Sequence, residues 1–195
     1  MAPVAKLAST NPGKLRELRA AFPDWEIELL GADEYPPEKG ETYYENARAK
    51  ALFARSAEPD AWVLGEDSGI EVEGLAWGPG VNSSRFARGD EVGRLLEALA
   101  GVDKRRARYV CELVALAPDG RELRGTGMLE GRIAHEPRGS GGFGYDPIFV
   151  PDGEERSVAE LGDDWKRANS HRARAAAALR RAIGGAASGG PETSS

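Results

Sequence analysis

The chain has 195 residues, 41% of them hydrophobic and 7% aromatic, enough to bury the core of one domain without disulfide or metal staples. Lys and Arg number 26 against 32 Asp and Glu, a net charge of -6, which excludes a general nucleic-acid coat protein, because phosphate-backbone binding draws on a basic surplus. The single cysteine, Cys111, excludes an internal disulfide framework and a CxxC metal or redox motif.

Val4 to Ala8 reads as a short apolar strand, and the polar segment Ser9-Thr10-Asn11-Pro12-Gly13-Lys14 follows it. Pro12 suits an early helical position, and Leu15, Leu18, Ala21 and Phe22 recur at helical spacing. Trp25 to Leu30 alternates like a half-buried strand. Thr42 and Glu45 form a capping box that opens a helix to about Ala57. Ala61 to Leu64 is a buried-strand pattern that ends at Gly65-Glu66-Asp67-Ser68-Gly69, and extended structure resumes over Ile70 to Leu75.

Asp90 to Leu99 reads as a further helix. Arg108 to Ala117 and Arg121 to Met128 flank Pro118-Asp119-Gly120, a hairpin signal. Cys111 falls in the first of these runs and is expected to be a buried structural thiol. Pro147 to Val150 predicts another strand, and Ser170 can cap a last helix that ends at Gly184-Gly185. The expected organisation is one α/β domain on a mixed sheet over residues 1–183, with a disordered tail over 184–195. No run approaches the ~18 apolar residues of a membrane span. Met1 to Lys6 lacks the layout of a signal peptide, so the expected compartment is the cytoplasm.

Three familiar motifs fail on their context. Gly139, Gly141 and Gly144 spell GxGxxG, but a strand pattern follows where a dinucleotide fingerprint needs a helix. Gly13-Lys14 ends like a P-loop, yet Leu15 stands where Ser or Thr belongs and Ala8 where the first glycine belongs. A nucleophile elbow around Ser68 would need glycine at Glu66. His135 and His171 are far apart and share no zinc-site context.

Polar residues gathered where strands end carry the chemistry. Adjacent carboxylates repel, so Glu66-Asp67 fits either a solvated turn or a hard-cation site with a general base. Mg²⁺ commonly takes one or two carboxylates plus substrate phosphates. Ser9 to Lys14 fits a capped helix start or a phosphate cradle of hydroxyls, N–H groups and one ammonium. Pro137 to Pro147 holds four glycines with Phe143, Tyr145 and Asp146. That loop offers close backbone approach, flat surfaces for a base and an acceptor. Lys166 and Ser170-His171-Arg172 add donors around a helix start. Together these parts compose a nucleotide-hydrolysing site.

On these residues the chain resembles the inosine/xanthosine triphosphate pyrophosphatases, from Leu7 to about Leu179. The segments are Ser9 to Lys14, Glu45-Asn46-Ala47 with Lys50, Asp67-Ser68-Gly69, Gly78-Pro79-Gly80-Val81 with Ser84-Arg85, Gly142 to Pro147, and Ala159-Glu160-Leu161 with Lys166 and Ser170-His171-Arg172. The resemblance implies an elongated mixed sheet with flanking helices, two lobes around a central cleft, and a homodimer. It implies that Ser9, Thr10, Asn11, Pro12, Gly13, Lys14 and Lys50 hold a purine nucleoside triphosphate, with Ser68, Phe143, Gly144, Tyr145, Asp146, Lys166, His171 and Arg172 completing the pocket. Asp67 is then the proton acceptor and a Mg²⁺ ligand, with Glu38 as the second metal carboxylate. Members commonly carry two aspartates before the Ser-Gly; here the first is Glu66.

The implied reaction is Mg²⁺-dependent hydrolysis of ITP, dITP and XTP to monophosphate and pyrophosphate, with no nucleic-acid or membrane partner. Arg172 is donor-only and His171 can donate, which matches a 6-oxo purine and leaves a 6-amino group unpaired. A Maf-type pyrophosphatase shares a similar architecture, but the Phe143 to Asp146 and Ser170 to Arg172 segments speak against it. A nucleotide-sensing or RNA-binding module would stack bases and need no Asp67.

Overall fold

The computed structural model describes residues 2–32 and 34–188. A seven-stranded sheet runs through the molecule. Its first strand, β1 (Val4–Ala8), lies parallel between β2 (Glu26–Leu29) and β3 (Trp62–Val72). From β3 outward the pairing is antiparallel, to β5 (Arg106–Leu116), β6 (Glu122–Ile133) and β7 (Phe149–Pro151). The short β4 (Gly78–Pro79) pairs with the far end of β3. The mixed sheet with flanking helices expected from the sequence is present.

Alternating side chains give the sheet two buried faces in its upper half. On one, α1 (Pro12–Ala21) and α6 (His171–Ser188) pack Leu18, Ala175 and Leu179 against Leu7, Leu64, Cys111 and Leu113. On the other, α2 (Tyr43–Ala57) lays Ala47, Ala51 and Ala54 over Ala8, Val63 and Val114. Two glycines set how closely these helices approach. A Cβ on Gly65 would lie 1.9 Å from the carbonyl oxygen of Ala47, and one on Gly127 would lie 2.1 Å from that of His171. Backbone therefore rests on backbone at β3 and β6, which fixes the depth of Lys50 on one face and of His171 and Arg172 on the other. The lower lobe has its own core of Ile70, Leu95, Tyr109, Tyr145, Ile148 and Phe149. It is closed by α3 (Ser83–Ala87), α4 (Glu91–Ala98) and α5 (Val158–Asn169).

Several sequence expectations change. Glu66 to Gly69 is not a loop: β3 is unbroken from Trp62 to Val72, because β5 pairs with it residue for residue from Val63 to Val72. Glu73–Leu75 is a 3₁₀ turn rather than extended chain, and β7 starts at Phe149. The last helix does not stop at Gly184-Gly185. Neither glycine takes the left-handed conformation of a helix stop, and the helix continues to Ser188, with Arg121 Nη1 donating to the Ala186 carbonyl at 3.3 Å. Of the expected disordered tail, 184–188 is thus helical, and 189–195 lies outside the described residues. Helix α5 has no counterpart in the sequence reading, although Ser157 and Glu160 form a full capping box at its start.

Candidate active site

Between the lobes lies a cavity of about 610 Å³, lined among others by Ser9, Thr10, Asn11, Lys14, Glu38, Lys50, Asp67, Ser68, Phe143 and Asp146. That size suits a small-molecule ligand such as a nucleotide. Seven separate stretches of chain meet there, around residues 8–14, 35–38, 50, 67–69, 81–91, 109 and 143–146.

The segment after β1 turns into α1 through Asn11, the N-cap. Its side-chain oxygen accepts from the N–H groups of Gly13 at 2.8 Å and Lys14 at 3.2 Å. These two donors, expected in a phosphate cradle, are therefore used by the cap. Ser9, Thr10, Asn11 and Lys14 line the cavity, and Ser9 Oγ accepts from the Asn11 N–H at 3.1 Å. Pro12 and Gly13 shape the turn instead of lining it. A Cβ on Gly13 would meet the Phe143 ring at 2.9 Å, so its absence admits that ring.

The α2 face of β3 carries the acidic centre. Asp67 is 3% exposed; its Oδ1 pairs with Lys50 Nζ at 3.1 Å and its Oδ2 accepts from Asn46 Nδ2 at 3.1 Å. Lys50 also pairs with Glu38, which the loop before α2 brings across the cavity mouth, and Arg85 Nη1 donates to the Glu38 carbonyl at 3.1 Å. Burial raises the Asp67 pKa against the pull of Lys50, and the charges of Glu38 and Glu66 add to the rise. Burial acts against Lys50 as well, yet Asp67 and Glu38 leave its pKa raised, so it stays an ammonium. Two hard carboxylates sharing one ammonium beside a phosphate-sized polar surface fit a Mg²⁺ ion, which takes few protein ligands and fills the rest with phosphate and water oxygens. Among the described residues, no group of three or more His, Cys, Asp or Glu side chains could hold a metal.

Glu66 faces the other way, among Lys14 and Arg172, and is neither a solvated turn residue nor a partner of Asp67. Burial opposes its charge, but Lys14 and Arg172 hold its pKa well below the usual carboxylate range.

The remaining expected residues form a layer behind Phe143. Lys166 Nζ lies 4.5 Å and the Arg172 guanidinium 5.8 Å from the Phe143 ring centre. Lys166, His171 and Arg172 do not line the cavity; the Phe143 ring lies over the first and last of them. Asp146 Oδ2 binds Lys166 Nζ at 2.7 Å and the Phe143 N–H at 2.9 Å, which fixes the Gly-rich loop. Tyr145 lines the cavity next to Gly144, but it belongs to the lower core and its hydroxyl donates to the Ser83 carbonyl at 3.0 Å. Phe143 is the loop's free aromatic surface. His171 stacks on Tyr109 with centroids 4.6 Å apart, and burial followed by the Arg172 charge depresses its pKa well below 6.5. Arg172 spends most of its hydrogens on protein: Nε and Nη2 on Glu66, Nη2 on Ser68 Oγ at 3.0 Å, and Nη1 on Glu17. The donor account of base selectivity therefore rests on what Arg172 has left and on Lys166 and His171.

Sequence reasoning missed Glu17, Tyr109 and Tyr35. Glu17 binds Lys166 Nζ at 2.6 Å as well as Arg172. Its position three residues after Lys14 on one helix was an available signal. Tyr109 sits in an apolar strand run, where nothing sets it apart from core. Tyr35 reaches the Ser9 carbonyl at 3.4 Å from a loop without periodicity.

A family model described as the Ham1 family matches residues 5–182. Among curated relatives, the dITP/XTP pyrophosphatase of Deinococcus deserti is 46% identical over 182 residues, covering 90% of this chain and 87% of its own. That of Deinococcus radiodurans is 45% identical over 184 residues, covering 91% and 92%. Among solved structures, the Ham1 protein of Staphylococcus aureus superposes with a TM-score of 0.82 at 32% identity, over 94% of this chain and 99% of that one. The nucleoside-triphosphatase / dITP/XTP pyrophosphatase of Mycobacterium abscessus gives a TM-score of 0.70 at 38% identity, over 90% and 98%.

Proposed function

Since the chain belongs to the Ham1 family, and is on that ground a nucleoside triphosphate pyrophosphatase acting on non-standard purine nucleotides, we propose that it hydrolyses ITP, dITP and XTP with Mg²⁺, releasing the monophosphate and pyrophosphate. The observation that carries the mechanism is the grouping of Asp67, Lys50 and Glu38 opposite Ser9, Thr10 and Lys14 around one cavity.

Asp67 takes the proton of a water whose oxygen bonds to the α-phosphorus as the bond to the bridging oxygen breaks. Its raised pKa makes it a better proton acceptor than an ordinary aspartate. Asn46 fixes the carboxylate's orientation. Lys14 and Lys50 neutralise charge that builds on the departing pyrophosphate, and the Ser9 and Thr10 hydroxyls hold its oxygens. Glu38 and Asp67 would hold a magnesium ion, which would supply Lewis-acid stabilisation of the phosphate oxygens. On the base side, Phe143 offers a stacking face, and Lys166 and His171 become donors for a 6-oxo group when the base displaces that ring from over their layer. An adenine 6-amino group leaves such donors unpaired, at about 1–3 kcal/mol each.

The proposed place of work is the cytoplasm, where free nucleotides are; among the described residues no helix is long and apolar enough to cross a membrane. The proposed working form is a homodimer. In support, α2 covers β3 but leaves the outer part of that sheet face open, where Met128 and Trp77 are 44% and 41% exposed.

Pyrophosphate release from inosine, xanthosine, guanosine and adenosine triphosphates, with and without Mg²⁺, tests the reading. Metal-dependent release from the first two, with little from the others, is the expected result. Equal release from all four would keep the chemistry and overturn the selectivity account, and nucleotide binding without release would overturn the role of Asp67.

A further inference from the structure

Glu66 is 1% exposed in the middle of β3 and is the shared counter-ion of two cations that the chain brings from its opposite ends. Its Oε2 lies 2.6 Å from Lys14 Nζ, on the phosphate side of the cavity. Its Oε1 accepts from Arg172 Nη2 at 2.9 Å and Nε at 3.2 Å, on the base side. The same residue's carbonyl accepts from Lys50 Nζ at 3.0 Å. Arg172 passes the connection on, through Nη2 to Ser68 Oγ at 3.0 Å in the cavity wall and across the Phe143 ring.

We propose that Glu66 is a positioning residue that couples the two halves of the site, so that the grip on the triphosphate through Lys14 and the discrimination of the base through Arg172 depend on one another. The inference deepens the pyrophosphatase reading and rests on it. A buried carboxylate distributes one negative charge between its two cations. When Lys14 swings toward a phosphate, Oε2 loses its partner, and the charge left on the carboxylate draws Arg172 more tightly. Arg172 then holds Ser68 and its side of the Phe143 layer in a different balance from that of the empty site. Glutamine in this place has the same length but no charge, and leaves Lys14 and Arg172 beside each other without a common anion. Aspartate keeps the charge but is one methylene shorter, and from the same backbone it reaches one cation and not both. Neither change removes a hydrogen-bond partner of Asp67, whose side chain lies on the opposite face of the sheet, although E66Q takes away the Glu66 charge that helps to raise the Asp67 pKa.

Calorimetric binding of xanthosine and adenosine triphosphates to the metal-free protein tests this in wild type, K14M, E66Q, E66D, K14M/E66Q and K14M/E66D. A phosphate-side lysine has no contact with the base, so without coupling K14M weakens both nucleotides by the same factor. With coupling, K14M narrows the preference for xanthosine over adenosine triphosphate by about three- to tenfold, the range of residues joined through a shared partner. Once Glu66 is replaced, K14M leaves the preference unchanged within about twofold. Equal weakening of both nucleotides in the wild-type background overturns the proposal, and so does a change of preference that persists without Glu66. Should E66Q not fold, E66D, which keeps the buried negative charge, makes the same comparison. Wild type that binds the nucleotides but releases no pyrophosphate from xanthosine triphosphate once Mg²⁺ is added would sink the pyrophosphatase reading while the coupling is still read from binding. Wild type that binds neither nucleotide overturns both.

Discussion

Glu66 and Asp67 are neighbours in β3, and strand alternation sends their carboxylates to opposite faces of the sheet. Asp67 meets Asn46 and Lys50 from α2, whereas Glu66 meets Lys14 from α1 and Arg172 from α6. Two like charges that repel in a turn are thus turned away from each other by the strand, although the Glu66 charge still adds to the rise of the Asp67 pKa, and each acquires its own cations. This division lets one dipeptide serve a reacting centre on one side and a structural ion network on the other.

Replacing Asp67 with Asn removes the proton acceptor at nearly constant shape. Turnover is expected to fall by about 10²- to 10⁴-fold, the usual contribution of a positioned base. Nucleotide binding is retained, because Lys14, Ser9 and the Phe143 surface are untouched. Pyrophosphate release and equilibrium binding measured on the same preparation check this, and unchanged turnover would remove Asp67 from the mechanism.

Gly65→Ala tests how the acidic centre is placed. The added Cβ would sit 1.9 Å from the Ala47 carbonyl oxygen and 2.6 Å from the Ala51 nitrogen, and both are backbone atoms that no rotamer can move. Helix α2 must lift from β3, at a cost of about 3 kcal/mol or more. Because α2 also carries Asn46 and Lys50, the melting temperature and turnover should fall together. A variant with native stability and reduced turnover would contradict this account.

Much of this was legible in the sequence wherever a local signal coincided with a tertiary role. Thr42 and Glu45 announced α2, Pro118-Asp119-Gly120 announced the β5–β6 hairpin, and the polar run Ser9 to Lys14 marked the turn into α1. Glu66 to Gly69 misled because polar residues and glycines imitate a loop. Ladder pairing to β5 and cations from distant segments make a strand of them, and neither is encoded locally. Tyr145 misled for the reverse reason: its sequence neighbours are loop residues, yet its ring completes the lower core. Glu17 was hidden within an ordinary amphipathic helix, since its partners Lys166 and Arg172 lie far along the chain.

The open sheet face gives the third prediction. Along β6, Thr126, Met128 and Arg132 lie on the α2 face of the sheet but beyond the part that α2 covers, and Met128 pairs across the strands with Val110. Met128→Glu puts a charge in the middle of that face. If the proposed homodimer forms there, the dissociation constant measured by sedimentation should rise by about tenfold or more, as expected for a residue at an interface centre. The melting temperature at high dilution should change little, because the side chain is already 44% exposed in the single chain. An unaltered dimer would move the interface elsewhere.

The fourth prediction concerns acid stability and His171. Its pKa is held well below 6.5 by burial first and by the nearby Arg172 charge second, so the folded chain keeps this ring neutral. The unfolded chain binds a proton at about 6.5. Above that value the ring is neutral in both states and contributes no pH dependence. As pH falls below it, the unfolded state takes up a proton that the folded state refuses, and stability drops by up to about 1.4 kcal/mol per pH unit. Asp67 and Asp146, whose pKa values are raised, act with the opposite sign, since they take up protons in the folded state first. The lowered Glu17 and Glu66 have the same sign as His171 but act below about 4.5, the value from which they are shifted. The ring's share is therefore isolated by comparing wild type with His171→Gln between about pH 5 and 7 in urea titrations. The variant loses the stacking on Tyr109 and is less stable at neutral pH, but its stability falls less steeply toward pH 5. Parallel curves for the two proteins would mean that His171 takes up its proton at the same pH in the folded as in the unfolded chain, and would overturn the depressed pKa on which its neutral form in the pocket rests.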